Sequence, residues 1–367
     1  MEKIKASERA TVDEHFKSWL AYYGKGNGDK AAADRAKRLL KKDFGCKIGT
    51  IALPKMFKRE SAGPHCDRGF ACIESGDWDG AVEEYTEAIR LGGGYAEIVS
   101  NRGVAYSQKK DFGRAIRDFT RAIKLDVGYA EAYFNRGLTH ADSGDCDKAI
   151  EDYTQAIQLK KTYAEAYYGR GNAHQIKGDC DKAIADYTQA IQLKGDYAAA
   201  HESRGTLYGN KGDLDGAIDD FTQAIRLKGG DGTAYYNRGT FYGARGDRDK
   251  AIDDYTQAIK RNGKDADAYL NRGILRAEKG DIDGAIADCT QSIRFMDGCA
   301  DSYDERARAY RAKGDAERAR ADWTEALRLD PGLSTAKEGL ALLDNGEKLA
   351  AGTTMEDGGA PPLLPSL

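Results

Sequence analysis

The sequence lacks any apolar run long enough to cross a membrane. A membrane-spanning helix needs about 18 consecutive apolar residues, and no run in the 367 residues approaches that length. The first ten residues are charged and give no expectation of a secretory signal peptide. Neither sign of charge dominates, because 56 Lys and Arg stand against 60 Asp and Glu, for a formal net charge of −4. We therefore expect no membrane association and no polybasic protein of the kind that binds nucleic acid.

Cysteine is scarce, and no pattern predicts catalysis. The seven cysteines are an odd number without Cys-x-x-Cys spacing, which favours free thiols in a reducing cytosol over a disulfide framework. Cys146 and Cys180 lie at equivalent places, but no histidine or third cysteine accompanies them as a metal ligand. The Gly-rich run 24–28 lacks the Gly-Lys-Ser/Thr ending of a phosphate loop. We expect a cytoplasmic protein that is not an enzyme and has no metal or cofactor.

What the sequence does contain is a repeat of 34 residues. Arg-Gly pairs recur at this interval from Arg68-Gly69 to Arg272-Gly273, and one more step reaches Arg306-Ala307. Eight units follow in phase, beginning at residues 62, 96, 130, 164, 198, 232, 266 and 300. Each unit shows two stretches with helical periodicity, separated by a turn with glycine and aspartate. The aspartate occurs in all eight units, and we expect it to cap the second helix.

This pattern resembles the tetratricopeptide repeat (TPR) family, whose 34-residue unit is a helix–turn–helix. The resemblance covers residues 62–333. It implies an all-α fold, a right-handed superhelical solenoid of antiparallel helix pairs, in which the first helices line a concave groove that binds peptides. The sequence departs from the family in two ways: the proline near the end of each unit survives only at Pro331, and arginine replaces the first-helix aliphatic residue in every unit.

An acidic residue lies sixteen positions after each of these arginines, from Arg68 and Glu84 to Arg306 and Asp322. In an antiparallel hairpin with its turn midway, the two positions lie nearly opposite one another. We therefore predict a ladder of Arg–carboxylate pairs between the paired helices. The alternative is a row of arginines that binds anions.

The segments that flank the repeats differ from them in charge. Residues 1–61 hold 15 basic and 8 acidic residues, a net charge of +7, whereas the remainder holds 41 and 52, a net charge of −11. We interpret residues 1–61 as a basic N-terminal helical hairpin and linker, 334–348 as a C-terminal capping helix, and 349–367 as a disordered tail. The charge difference suggests that residues 1–61 dock intramolecularly on the groove and compete with partners. The alternative is that they cap the first unit.

The resemblance places the groove at the second, fifth, sixth, ninth, twelfth and thirteenth positions of each unit. The sixth position gives a row of amides that can hold a peptide backbone: Asn101, Asn135, Asn237 and Asn271. The fifth position gives aromatic candidates for anchoring a partner: Phe134, Tyr168 and Tyr236. The alternatives are asparagines tolerated on a helix surface and aromatic packing between adjacent units.

Acidic residues outnumber basic ones at these six positions by twelve to two. They include Glu97, Glu131, Glu165, Asp267 and Asp301. An acidic groove attracts cationic segments and repels nucleic acid. We therefore expect an interaction scaffold or adaptor that binds an extended, basic or neutral peptide of a partner protein. Two alternatives are a regulatory subunit of an enzyme complex and a homotypic assembly protein.

Overall fold

The computed structural model of the protein describes residues 62–92 and 94–344, and within these ranges it contains 17 helices and no strand. The predicted hairpin at 1–61, the predicted tail at 349–367 and the last four residues of the predicted capping helix lie outside the described residues. Each helix of the described part is too short or too polar to cross a membrane.

Eight pairs of helices correspond to the eight predicted units, which we number as repeats 1 to 8. Repeats 1 to 4 contain α1 (Gly63–Ser75), α2 (Trp78–Arg90), α3 (Ala96–Gln108), α4 (Phe112–Leu125), α5 (Ala130–Asp142), α6 (Cys146–Leu159), α7 (Ala164–Ile176) and α8 (Cys180–Leu193). Repeats 5 to 8 contain α9 (Ala198–Asn210), α10 (Leu214–Lys228), α11 (Gly232–Arg245), α12 (Arg248–Arg261), α13 (Ala266–Glu278), α14 (Ile282–Phe295), α15 (Ala300–Ala312) and α16 (Ala316–Leu329). A single helix, α17 (Ser334–Asp344), follows them.

The chain divides into two compact units, with the boundary between Leu193 and Lys194. The first unit contains repeats 1 to 4, and the second contains repeats 5 to 8 and α17. Within each unit the two helices of a repeat pack against each other, and each second helix packs against the first helix of the next repeat. In the second unit, α17 packs on α16, where Ala336 is buried and Leu340 and Leu343 contact the same apolar cluster, as expected of a capping helix.

The turn inside each repeat combines a left-handed residue with an aspartate. Seven repeats place glycine at the left-handed position, for example Gly144 with φ 86°, whereas repeat 2 places Lys110 there with φ 60°. The aspartate then caps the second helix: the carboxylate of Asp77 accepts from the backbone N–H of Gly80 at 2.9 Å. Equivalent bonds in repeats 2, 3, 5, 7 and 8 confirm the predicted capping role there. In repeat 6 the prediction is wrong, because the carboxylate of Asp247 pairs with Arg245 and does not cap its helix.

The close approach of the two helices in a repeat depends on the glycine of the Arg-Gly pair. A Cβ atom added to Gly171 would lie 2.7 Å from the ring of Tyr187, and one added to Gly103 would lie 2.9 Å from the ring of Phe119. Both rings are almost completely buried. The glycine of the first helix therefore makes room for the aromatic ring of the second helix.

The arginines of the Arg-Gly pairs bind carboxylates of the second helix in their own repeat, as predicted. In repeat 4, Nε and Nη2 of Arg170 donate to the two oxygens of Asp186 at 2.8 and 2.7 Å. The same two-bond pairing occurs in repeats 2 to 8, whereas in repeat 1 Arg68 donates only Nε to Glu84, at 2.8 Å. Because the guanidiniums are paired in this way, the anion-binding alternative has no support.

A third bond connects the ladder to the preceding repeat. Nη1 of Arg170 donates to the hydroxyl of Thr154 at 3.0 Å, and Nη1 of Arg136 donates to that of Thr120 at 2.9 Å. Each threonine lies sixteen residues before its arginine, on the second helix of the preceding repeat. One guanidinium thus joins three helices, a contact that the sequence analysis did not predict.

We expect Arg170→Met to lower the free energy of unfolding by about 2–4 kcal/mol, because it leaves the carboxylate of Asp186 buried without a partner. Urea unfolding followed by circular dichroism measures the change. The double variant Arg170→Met/Asp186→Leu should recover most of the loss, and Arg68→Met, at the exposed end of the ladder, should lose less than Arg170→Met. Equal losses in the single and double variants would contradict this account.

We also expect Lys110→Gly to raise the free energy of unfolding by about 1 kcal/mol, because the Cβ atom of lysine is strained in a left-handed backbone that glycine adopts without strain. Thermal unfolding of the full chain tests this expectation. The matched reverse substitution, Gly144→Lys, should lower stability by a similar amount. No stabilisation by Lys110→Gly would show that the turn of repeat 2 relaxes around its lysine.

Candidate functional site

First helices of neighbouring repeats contact each other within each unit, so equivalent side chains form rows. Such contacts join α3, α5 and α7 in the first unit, and α13, α15 and α17 in the second. Packed helix axes are separated by about 10 Å. Side chains at the same position of neighbouring repeats therefore lie about 10 Å apart along a row.

The asparagine row at the sixth position is mostly buried. Asn101, Asn135 and Asn271 are 1%, 3% and 1% exposed, and Asn237 is half-buried. The Nδ2 of Asn271 donates to the hydroxyl of Tyr236 at 3.0 Å. The interpretation of Asn101, Asn135 and Asn271 as surface amides is therefore wrong, because this position faces the preceding repeat.

Two of the three aromatic candidates are also core residues. Phe134 packs its ring 4.9 Å from that of Tyr163, and Tyr236 packs 5.6 Å from Tyr255. Both Phe134 and Tyr236 are buried in apolar clusters that include residues of the following repeat, which contradicts their interpretation as exposed anchors and confirms the packing alternative. Tyr168 is half-buried, and so it alone of the three keeps an accessible ring.

The sixth position follows a size rule that the sequence analysis missed. Its side chain faces a large second-helix residue that lies sixteen positions earlier, in the preceding repeat. A Cβ atom added to Gly169 would lie 2.8 Å from the ring of Tyr153, and one added to Gly339 would collide with Trp323. The signal was available in the sequence as a pairing of large with small residues at a spacing of sixteen.

The predicted acidic residues occupy the second position of their repeats. Glu97, Glu131 and Glu165 are half-buried in α3, α5 and α7, in the first unit. In the second unit, Asp267 is half-buried and Asp301 is exposed. Each lies in the first turn of its helix, where a negative charge also interacts favourably with the helix dipole.

Some acidic groups of the predicted groove have basic partners that the sequence count did not include. Nζ of Lys160 lies 3.8 Å from Oε1 of Glu131, and Nζ of Lys228 lies 3.8 Å from Oε1 of Glu202. These lysines follow the second helices or end them, so a count over first-helix positions omits them. The excess of acidic over basic residues on this surface is therefore smaller than the twelve-to-two ratio at the first-helix positions.

Other acidic groups of the described residues have no ion pair. Glu97, Asp267 and Asp301 lack a basic nitrogen within 4 Å among the residues that the structure describes. Burial and the neighbouring Asp265 raise the pKa of Asp267 above its usual range. The pKa of Asp301 is raised as well, by partial desolvation from the surrounding atoms and by the charge of Asp304, although its surface is exposed.

The most perturbed carboxyl group is that of Glu305, at the sixth position of repeat 8. It is 9% exposed and follows the small residue Cys289 by sixteen positions, so the size rule gives it room. Nη1 of Arg308 lies 3.5 Å from its Oε1. Burial, together with Asp304 and Asp301, outweighs this partner and raises the pKa of Glu305 to about 7. Glu305 occupies one of the six repeat positions assigned to the groove, but its burial was not predicted.

The histidines and cysteines form no reactive group in the described residues. Nδ1 of His201 lies 2.7 Å from Oδ1 of Asp220, and Nδ1 of His65 lies 2.7 Å from Oε2 of Glu84, so both join acids of the arginine ladder. His140 is buried beside Asp152. Across residues 62–92 and 94–344, no three His, Cys, Asp or Glu side chains are grouped as metal ligands.

Several solved structures are similar to this chain. The C-terminal part of a TPR repeat-containing protein from Cytophaga hutchinsonii is 21% identical with a TM-score of 0.56, over 65% of this chain and 98% of its own. YrrB, described as a TPR protein with an unusual peptide-binding site, is 25% identical with a TM-score of 0.49, over 53% of this chain and 100% of its own. MamA is 33% identical with a TM-score of 0.42, over 45% and 96%. No curated protein matches the chain.

Sequence models of one family match most of the repeat region. A model described as "TPR repeat" matches residues 139–178. Models described as "Tetratricopeptide repeat" match residues 73–126, 164–197, 198–231, 236–295 and 300–333. These segments together span more than half of the sequence, and the helix pairs in both compact units have the 34-residue period of that family. The chain therefore belongs to the tetratricopeptide repeat family.

Proposed function

We propose that this protein is an interaction scaffold that binds a basic segment of a partner protein on the carboxylates of its first helices. Its TPR repeats support a scaffold for protein–protein interaction in general. The observation that carries the finer proposal is the excess of carboxyl groups over basic partners in repeats 7 and 8, where Asp304 and Glu305 share Arg308. Asp267, Asp301 and Glu305 all have raised pKa values there.

A raised pKa means that the protein disfavours the ionised form of the group. Arg308 lies 3.5 Å from Glu305 and already contacts Asp304 at 3.2 Å, so its positive charge is shared. An ammonium or guanidinium group from a partner would supply the missing positive charge, whereas a carboxylate would add to the repulsion. A basic segment is therefore favoured over a neutral one.

The spacing of the rows indicates how such a segment would fit. Neighbouring first helices are separated by about 10 Å, and a polyproline II chain advances about 9 Å over three residues, which brings every third side chain to the same side. A peptide with lysine at every third position therefore presents its charges in step with Asp267 and Asp301. We take this peptide as the probe, with its glutamine analogue as the uncharged control.

Binding of the lysine probe should strengthen as pH rises from 6 to 8. Glu305 has a pKa of about 7, so it is mostly protonated at the lower pH and mostly ionised at the higher pH. If the ionised form carries binding, affinity should rise by up to about tenfold, as measured by isothermal titration calorimetry at constant ionic strength. Glu305→Gln should remove the dependence, and Glu151→Gln, an exposed second-helix control, should retain it. An affinity that is constant between pH 6 and 8 would contradict the role of Glu305.

The protein also carries a candidate competitor of its own. Residues 1–61 have a net charge of +7 against −11 for the remainder, and their last residue directly precedes the first described repeat. We propose that this segment occupies the acidic surface when no partner is present.

Deleting residues 1–61 should therefore strengthen binding of the lysine probe, because the competing charge is removed. Fluorescence anisotropy of labelled probe measures the affinity, and thermal unfolding of both proteins provides the control. An unchanged affinity would refute competition. An unchanged affinity with lower stability would support the alternative that the segment caps repeat 1.

A further inference from the structure

One asparagine of the described residues lies outside the helices, and a glycine follows it. Asn262 comes directly after α12 and precedes Gly263 in the connection to α13, and both residues are exposed. The other six asparagines between residues 62 and 344 lie within first helices and precede arginine, alanine or lysine. Asn262 is therefore the one asparagine of the described part whose backbone is not held by a helix.

The turn after α12 brings the side-chain amide of Asn262 close to the backbone of Gly263. Oδ1 of Asn262 accepts from the backbone N–H of Lys264 at 3.2 Å. The ring that this hydrogen bond closes contains the backbone nitrogen of Gly263, so that nitrogen and the amide carbon of Asn262 belong to the same turn. A donor on Oδ1 also stabilises the negative charge that develops on this oxygen when the amide carbon is attacked.

The surroundings of Gly263 leave room for such an attack. A Cβ atom added to Gly263 would find only the carbonyl oxygen of Ile259 within 4 Å, at 3.9 Å. Within the described residues the backbone N–H of Gly263 donates no backbone hydrogen bond. The nucleophilic nitrogen and the electrophilic carbon of an intramolecular reaction are thus held together, which is the main requirement for such a reaction to proceed without a catalyst.

Two other repeats show how an aspartate fits at this place. Asp126 in repeat 2 and Asp330 in repeat 8 occupy the thirty-first position of the repeat, as Asn262 does in repeat 6. Their φ and ψ angles are −143° and 100°, and −127° and 97°, close to the −124° and 89° of Asn262. Their carboxylates accept from the backbone N–H groups of Gly128 and Gly332 at 2.9 and 2.8 Å, two residues later. An aspartate at position 262 therefore fits the same turn.

We propose that Asn262 is a site of spontaneous deamidation, through which the connection between repeats 6 and 7 gains a negative charge as the protein ages. The backbone nitrogen of Gly263 attacks Cγ of Asn262 and forms a new C–N bond, and the side-chain amide leaves as ammonia with the proton of that nitrogen. Water then adds to either carbonyl of the resulting succinimide ring and opens it. One opening gives aspartate, and the other gives isoaspartate, in which the main chain runs through the former side chain.

The two products have different consequences for the array. Aspartate keeps the turn, and its charge lies three residues before Asp265, whose carboxylate caps α13 through the N–H of Ala268 at 3.0 Å. Isoaspartate adds one atom to the main chain and displaces the carbonyl of residue 262, which accepts from the N–H of Asp265 at 3.1 Å. We therefore expect the aspartate form to be as stable as the original chain and the isoaspartate form to be less stable.

The test incubates the full chain at several pH values, digests it and analyses the peptides by mass spectrometry. The peptide with residue 262 should gain the mass difference between an amide and a carboxylic acid and separate into two forms. The rate should rise with pH, because the backbone nitrogen attacks more readily once it loses its proton. An isoaspartyl methyltransferase with labelled S-adenosylmethionine detects the isoaspartate form independently. An Asn262 that stays intact at every pH would overturn the proposal.

An internal control and three variants separate the turn from a general effect of exposure. Asn210 is also exposed, but it ends α9 and precedes a lysine, so it should keep its amide. Asn262→Gln should lose the modified form, because its longer side chain must close a larger ring. Gly263→Ala should slow the reaction, since the added methyl group hinders the approach. Asn262→Asp should melt at the temperature of the fresh wild-type chain.

Three results would contradict this account. Asn27 and Asn345 also precede glycine and lie outside the described residues; their modification beside an intact Asn262 would refute the proposed site. Equal modification of Asn210 and Asn262 would refute the role of the turn. A melting temperature of Asn262→Asp well below that of the wild type would show that aspartate does not fit at this position.

Discussion

The repeats depend on one interaction, the set of hydrogen bonds by which an arginine side chain joins three helices. A guanidinium has five donors in a fixed plane, and here it uses two of them on an aspartate of its own repeat and one on a threonine of the preceding repeat. Tyrosine rings cover it as well: the guanidinium of Arg170 lies 5.6 Å from the ring centroid of Tyr167. The arginine therefore supplies the buried aspartate with both a counter-charge and hydrogen bonds.

Much of this architecture follows from the sequence because the period is exact. The interval of 34 residues fixes the helix pairs, and the glycine and aspartate fix the turn. The sixteen-residue spacing from Arg170 to Asp186 places these two residues opposite each other in the antiparallel pair. Each of these features depends on residues close in the chain, whose geometry elementary helix rules determine. The bond from Arg170 to Thr154 was missed because it runs backwards into the preceding repeat, which requires knowledge of how neighbouring repeats stack.

The candidate site was harder to predict for the same reason. Whether Asn135 faces a partner or the preceding repeat depends on the distance between first helices, and a single repeat contains no information on that distance. The pairing of Trp323 with Gly339 and of Tyr153 with Gly169 did contain it, because a large residue at one position requires a small one sixteen residues later. Residue type alone indicated acidic groups at the second position, but the lysines that partly neutralise them come from other elements.

The backward bond from arginine to threonine has a consequence for how such a chain can change in length. Every contact of the ladder spans sixteen residues, either forward within a repeat or backward into the preceding one. Copying or removing one complete module inside a compact unit leaves each arginine with an aspartate ahead of it and a threonine behind it. Gain or loss of a partial module breaks at least one of these two relations. Genetic duplication in steps of a whole module is therefore the route by which this lineage could lengthen or shorten its array without leaving a buried charge unmatched.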